Sequence, residues 1–167
     1  MDKFLNIPEQ DLVSSGTTTA GTANKLTDSS ATFETDGVAI GDIVHNSTDN
    51  TYTTVTAIDS ETVLTVGTTV PTAKAYFIHS ATSSKSQLVS CVGIGLIEQA
   101  STSTVTITYD DAAASDVVTI THVPVGAGSE AMRDAIQNDA ISALQTAWTS
   151  VSNSVELPNK VIGVSIG

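Results

Sequence analysis

The sequence predicts a mostly-β α+β protein, an antiparallel sheet with one packed amphipathic helix and a small β-barrel or sandwich module inserted into it. Three observations lead there. Thr104-Val-Thr-Ile-Thr-Tyr109 and Val117-Val-Thr-Ile-Thr-His-Val123 alternate apolar and hydroxyl residues around a small polar turn, Asp110–Asp116, the period-2 signature of a hairpin. Behind them Met132, Ile136, Ala140, Ala143, Leu144, Ala147 and Trp148 fall on one face at helical spacing, with Arg133, Asp134, Gln137, Asn138 and Gln145 largely opposite. Finally, Leu12-Val-Ser14 recurs as Leu88-Val-Ser90, bracketing a segment of different character.

Taken in order, Lys3–Ile7 reads as a short strand stopped by Pro8. The bracketed segment is flanked by Ser14-Ser-Gly-Thr-Thr-Thr19 and Ser80-Ala-Thr-Ser-Ser84, small polar stretches of the kind found at loop tips that accept insertions. Inside it, Asn24–Thr32 is a polar lead-in to Phe33, and Asp36-Gly37 a turn. Val38–His45 reads as a strand broken by Gly41, and Tyr52–Ile58 as its hairpin partner across the loop Asn46–Asn50. Thr62–Val66 and Ala75–His79 complete the set, parted by Val70-Pro71. Short strands with frequent turns suit a small barrel or sandwich. At roughly 65 residues the module is near the lower limit for folding alone. Beyond it, Leu88–Glu98 reads as a buried strand bent at Gly93 and Gly95. Ser129 suits a helix N-cap, with Glu130 placed where the helix dipole favours an acid. Ser154–Leu157 and Val161–Ile166 are closing strands around Pro158-Asn159. The domain organisation is therefore a core of residues 1–15 and 86–167 with an inserted β-module at 16–85.

Composition narrows the function classes. Hydrophobic residues make up 40% of the 167 and aromatics only 4%, so the core is aliphatic. Sparse charge with many β-branched residues is the opposite of a disordered chain. Eighteen acids against six scattered bases give a net charge of −12. That argues against neutralising nucleic-acid phosphates or docking on an anionic membrane. No run approaches the ~18 apolar residues of a membrane span. The N-terminus carries no secretory h-region, and a single cysteine, Cys91, excludes an intrachain disulfide; both suit synthesis in a reducing cytoplasm. Cys91 lies in an apolar run and reads as a buried small hydrophobe.

Candidate chemistry is thin. Gly126-Ala-Gly128 between a strand and a helix has the outline of a phosphate-binding turn, but lacks a third Gly or a Gly-Lys-Ser/Thr, and reads as a strand-to-helix turn. His45, His79 and His122 sit in or at the ends of strands without metal-ligand spacing, so satisfied polar side chains are expected. Asp42, Asp49, Asp59 and Glu61 would bind Ca²⁺ only if their loops converged, and they lack the alternating ligands of an EF-hand loop. Asn46-Ser-Thr48 fits a glycosylation acceptor without a secretory route to use it. No catalytic, cofactor-binding or metal residue is assigned, no cofactor is expected, and the chain is read as a non-enzyme.

The module carries Asn24-Lys-Leu-Thr-Asp28, Gly37-Val-Ala-Ile-Gly-Asp-Ile-Val44 with Asn46, and Thr54-Val-Thr-Ala-Ile-Asp-Ser-Glu-Thr62-Val-Leu-Thr65. These resemble a small β-module recurrent in structural proteins of tailed bacteriophages. Lys3-Phe-Leu-Asn-Ile7, Leu96-Ile-Glu-Gln-Ala-Ser-Thr102 and Thr104–Tyr109 resemble stretches of short phage virion proteins. The resemblance implies a structural component of the virion, assembled in the host cytoplasm. A capsid decoration or cement protein on the outer capsid surface is the leading expectation. The implied partners are the major capsid protein or another virion protein, and further copies of the chain in a homo-oligomer. A tail or baseplate component for host attachment is the alternative. A surface carbohydrate-binding module is a third, disfavoured by the scarcity of aromatics for stacking on sugars.

Overall fold

A computed structural model of the chain describes residues 2–110, 116–145 and 151–167. The elements are β1 (Phe4–Thr17), β2 (Lys25–Thr27), α1 (Phe33–Asp36), β3 (Ile43–Asn46), β4 (Thr51–Ser60), β5 (Val63–Val66), β6 (Ala75–Ser90), β7 (Ile94–Ser101), β8 (Thr104–Tyr109), β9 (Val117–His122), α2 (Ala131–Gln145), β10 (Ser152–Ser154) and β11 (Val161–Ile166). The fold is α+β and mostly β, with antiparallel pairing dominant and one long helix packed on a sheet. Two compact units form, Met1–Gln10 with Ser83–Gly167, and Asp11–Thr82.

The discontinuous unit is built on the β8–β9 hairpin. Thr104 pairs with Thr121 and Thr108 with Val117, so Val105, Ile107, Val118 and Ile120 share one face. All four are buried, and Met132, Ile136, Ala140 and Ala143 of α2 join them in one cluster. The i, i+4, i+8, i+11 spacing keeps those helix residues on one stripe. Each fully buried Ile or Met contributes about 1.5–3 kcal/mol. Sheet order here is β11-β9-β8-β7, while β1 is flanked by β10 and β6. β10 runs parallel to β1, Phe4 opposite Ser152. Leu5, Ile7, Val89, Cys91, Val155 and Val161 complete the core. The buried place expected for Cys91 is the one it takes.

The second unit has strand order β1-β6-β3-β4-β5-β2. Just past β1, Thr19 N–H donates to Thr27 O of β2 at 2.8 Å and Ala20 bridges Thr27, so the sheet closes into a small barrel. Its core is Leu26, Phe33, Val38, Val44, Val55, Leu64, Val66, Val70, Tyr76 and Ile78. The four-residue α1 buries Phe33 in this core. It stops at Gly37, whose φ of 84° lets Val38 N–H reach back to Phe33 O at 3.0 Å.

Several local expectations are corrected. Pro8 does not end the first strand; β1 continues to Thr17. Phe4 N–H donates to Val151 O and Asn6 O accepts from Val155 N–H, so even-numbered residues face β10. The β10 pairing ends at Asn6. Pro8 therefore has its missing donor on a side with no ladder to break. The polar flanks at 14–17 and 80–84 are strand rather than loop, for they lie inside β1 and β6, and the chain changes units between residues 10 and 11 and between 82 and 83. Threonine-rich sequence is compatible with an exposed strand. The two Leu-Val-Ser copies fall in different units, on β1 and on β6.

Val38–His45 is not one strand. Residues 38–42 turn, with Gly41 at φ 95°, and β3 begins at Ile43. Leu88–Glu98 is likewise two strands, parted at Gly93 (φ 79°), and Leu88 and Leu96 are exposed. A left-handed glycine in an apolar run marked a reversal, not a bend. The polar lead-in contains β2, and Ser154–Leu157 is strand only at Ser154. Leu144 is exposed, not part of the buried stripe. Residues 111–115 of the hairpin turn, and Ala147 and Trp148, lie outside the described residues.

Candidate functional site

The chemically distinctive groups divide between two places, a buried polar chain in the discontinuous unit and a buried carboxylate in the barrel. The first starts at His122, the last residue of β9, whose inward parity places its ring in the core with no exposed surface. Its Nδ1–H donates to Val123 O at 2.8 Å, because a carbonyl can only accept. Nε2 is left as an acceptor and takes a hydrogen bond from Gln99 Nε2 at 2.9 Å. The Gln99 amide nitrogen also donates to Ser101 O at 2.7 Å, while its oxygen accepts the Arg133 N–H at 3.3 Å. Asn159 Nδ2 donates to Val123 O and to Pro124 O, both at 3.0 Å. Burial pushes the His122 imidazolium below its ordinary value of 6.5, against a smaller upward effect from Val123 O.

In the barrel Asp28 is almost fully buried. Its Oδ1 accepts from Ser30 N–H (3.0 Å) and Ser30 Oγ–H (2.7 Å), and its Oδ2 from Tyr76 Oη–H (2.9 Å). Burial alone would raise this carboxyl. The hydrogen bonds from Ser30, Tyr76 and the Thr17 backbone outweigh it and hold the carboxyl below the usual range. Tyr76 is pushed up, chiefly by burial and then by the Asp28 carboxylate. Gly16 passes so close that a Cβ there would collide with Asp28 Oδ2 and lie 2.7 Å from Tyr76 Oη.

The acids singled out from the sequence do not converge. Asp42 Oδ2 accepts Ala39 N–H and its Oδ1 accepts Ala81 N–H, both at 2.8 Å, fastening the 38–42 turn to β6. Asp49 pairs with Lys74 at 2.7 Å and Asp59 with Lys25 at 2.9 Å, and each lysine holds its partner's carboxyl down. Glu61 Oε2 accepts Glu34 and Thr35 N–H, capping α1. Among the described residues, no group of three or more His, Cys, Asp or Glu is placed to hold a metal ion. Asn46 braces its own loop through Asp49. His45 stacks on Tyr52 with ring centroids 4.3 Å apart, and His79 lies buried on β6 opposite Ile43.

Gly126-Ala-Gly128 forms a tight turn, with Ser129 N–H donating to Gly126 O at 2.9 Å and Gly128 at φ 74°. The hollow beside it, about 240 Å³, is lined by Gln99, Ser101, Thr102, Gly128, Ser129 and Glu130, a lining with an acid and no base to suit a phosphate. The helix starts at Ala131, one residue later than a cap at Ser129 would place it. Glu130 O accepts the first helical bond from Asp134 N–H, and Ser129 Oγ accepts Ala131 N–H at 3.4 Å. A larger open groove of about 340 Å³ runs between β7 and α2, lined by Ile94, Leu96, Ile97, Gln137, Ile141 and Leu144. Leu96, on the strand that ends its sheet, is 54% exposed, and Leu144, on α2, is 58% exposed.

Sequence reasoning passed over Gln99, Asp28 and Tyr76. Only His122 carried a signal, as a polar residue at an inward strand position. No protein-family model, curated protein or solved structure matches the chain.

Proposed function

We propose that this chain is a non-enzymatic structural protein of a tailed-bacteriophage virion, acting as a capsid decoration or cement protein. One observation carries the reading. The two sets of resembling stretches segregate onto the two compact units. Lys3–Ile7, Leu96–Thr102 and Thr104–Tyr109 fall on β1, β7 and β8 of the discontinuous unit. Asn24–Asp28, Gly37–Asn46 and Thr54–Thr65 all fall in the barrel. A virion platform carrying an inserted β-module would be partitioned in this way. His122, Gln99, Asp28 and Asp42 are spent on holding strands, turns and a helix together, which suits a protein whose task is to be durable. The apolar strip of Leu96, Ile141 and Leu144 is surface that attachment through the platform would bury.

Mass spectrometry of purified particles tests the proposal, with absence of the chain from them counting against it. Labelled imaging then separates a shell position from the alternative, a tail or baseplate position.

A further inference from the structure

We infer that His122 is a proton-sensitive latch that holds the first turn of α2 onto the sheet through Gln99. The first amides of a helix have no partner within it. In α2 the Arg133 N–H, third in the helix, is satisfied from another element, by Gln99 Oε1 of β7. The Gln99 amide can present its oxygen to Arg133 only while its nitrogen points to His122 Nε2, Ser101 O and Thr104 O. That arrangement requires a neutral ring with Nε2 as acceptor.

A proton on Nε2 sets an N–H against the Gln99 NH₂ group. Turning the amide over relieves that opposition, but it then sets the NH₂ against the Arg133 N–H and strips the donors from Ser101 O and Thr104 O. The first arrangement loses the bond between His122 and Gln99 and the second loses the bond between Gln99 and Arg133, so in both the connection from the ring to the helix is broken. The ring is fully buried, so water cannot take Gln99's place without an opening.

Among the described residues, no charged group stands ready to stabilise the imidazolium. From α2 and its approach, Glu130 and Asp134 each pair with Arg133 at the surface. Asp139 lies nearly two turns further on. On β7, Glu98 precedes Gln99 and so points to the opposite face. β8 offers only Tyr109, which donates to Ser90 O at 2.8 Å. Asp116 precedes the far end of β9, Glu156 comes five residues before β11, and Lys160, next to the Val161 that pairs with His122, is itself a cation. The ring's own partners are Gln99 and the Val123 carbonyl, both uncharged.

The test is an NMR pH titration of the three histidine rings in the intact chain, with the Arg133 amide protection factor followed in the same samples. The expected result is a His122 midpoint below 6.5. Protection at Arg133 should fall roughly tenfold or more as the ring protonates, since one unit of linked pKa change corresponds to a factor of ten. A His122 midpoint at or above 6.5, or protection at Arg133 that ignores the titration, overturns the latch. Gln99→Glu supplies a second arm. Its carboxylate accepts from the protonated ring, so the His122 midpoint should rise above the wild-type value. An unchanged midpoint in a folded Gln99→Glu protein also overturns it.

Discussion

Replacing Tyr76 with Phe removes one oxygen from the barrel core and tests whether Asp28 is held there as a carboxylate. The ring stays, so packing against Phe33 at a centroid distance of 6.1 Å is retained. What goes is the 2.9 Å hydrogen bond to Asp28 Oδ2. A hydrogen bond to a charged group contributes about 1.5–3 kcal/mol, and the buried acceptor cannot turn to water for a replacement. The barrel unit is small, so each kcal/mol moves its midpoint by about 4–8 °C, and a fall on the order of 10 °C is expected. The sign with pH follows from the direction of the Asp28 shift. Its folded value lies below 3.8, so the stability it brings is complete above 3.8 and is lost as pH falls through the folded value. Tyr76→Phe removes one of the bonds that depress it. The gap between wild type and variant should therefore be widest near neutrality and narrow in acid. Calorimetry at several pH values measures it, with hydrogen exchange in β2 to β5 assigning the transition to the barrel. A neutral-pH gap under about 0.5 kcal/mol, the range of an ordinary surface substitution, would refute the reasoning. So would a gap that does not narrow in acid.

Gly16→Ala should strike the same site from the backbone side. The added methyl collides with Asp28 Oδ2 and crowds Tyr76 Oη, so a loss of about 1–3 kcal/mol or more is expected in the same calorimetric transition. Two substitutions at left-handed positions should act in opposite directions in denaturant titrations. Ala73→Gly at φ 59° should gain up to about 1 kcal/mol, and Gly93→Ala at φ 79° should lose about 1–2 kcal/mol. Leu144→Glu should leave stability within about 0.5 kcal/mol, since the side chain is exposed. In a particle-reconstitution assay the same variant should lose incorporation if the β7–α2 strip is buried on the virion.

The parts of the fold legible in sequence were those where burial repeats at a fixed period. The β8–β9 hairpin alternates cleanly, and the α2 stripe from Met132 to Ala143 is buried as its spacing indicated. Long strands were not legible. β1 and β6 run from one unit into the other, so their burial changes face and character midway. Residues 82–88 of β6 are all exposed, and such stretches look like loop. Glycines were ambiguous in the same way. Gly41, Gly93 and Gly95 all interrupt apolar runs, yet the first two have positive φ and reverse the chain, while Gly95 lies in β7 where a Cβ would collide with the Asp110 side chain. The buried polar groups were hidden for another reason. Gln99 matters because it stands between a histidine 23 residues away and a helix amide 34 residues away. Neither separation has a local pattern. Asp28 was one residue of a polar lead-in, and part of its setting comes from Tyr76, 48 residues on.

The central claim is that this chain is a structural part of a virion, and protein mass spectrometry of particles purified from lysate tests it most directly. The account predicts the full-length chain in a fixed ratio to the major capsid protein through successive density-gradient steps. A chain recovered only in the soluble lysate, with none on the particles, would contradict it.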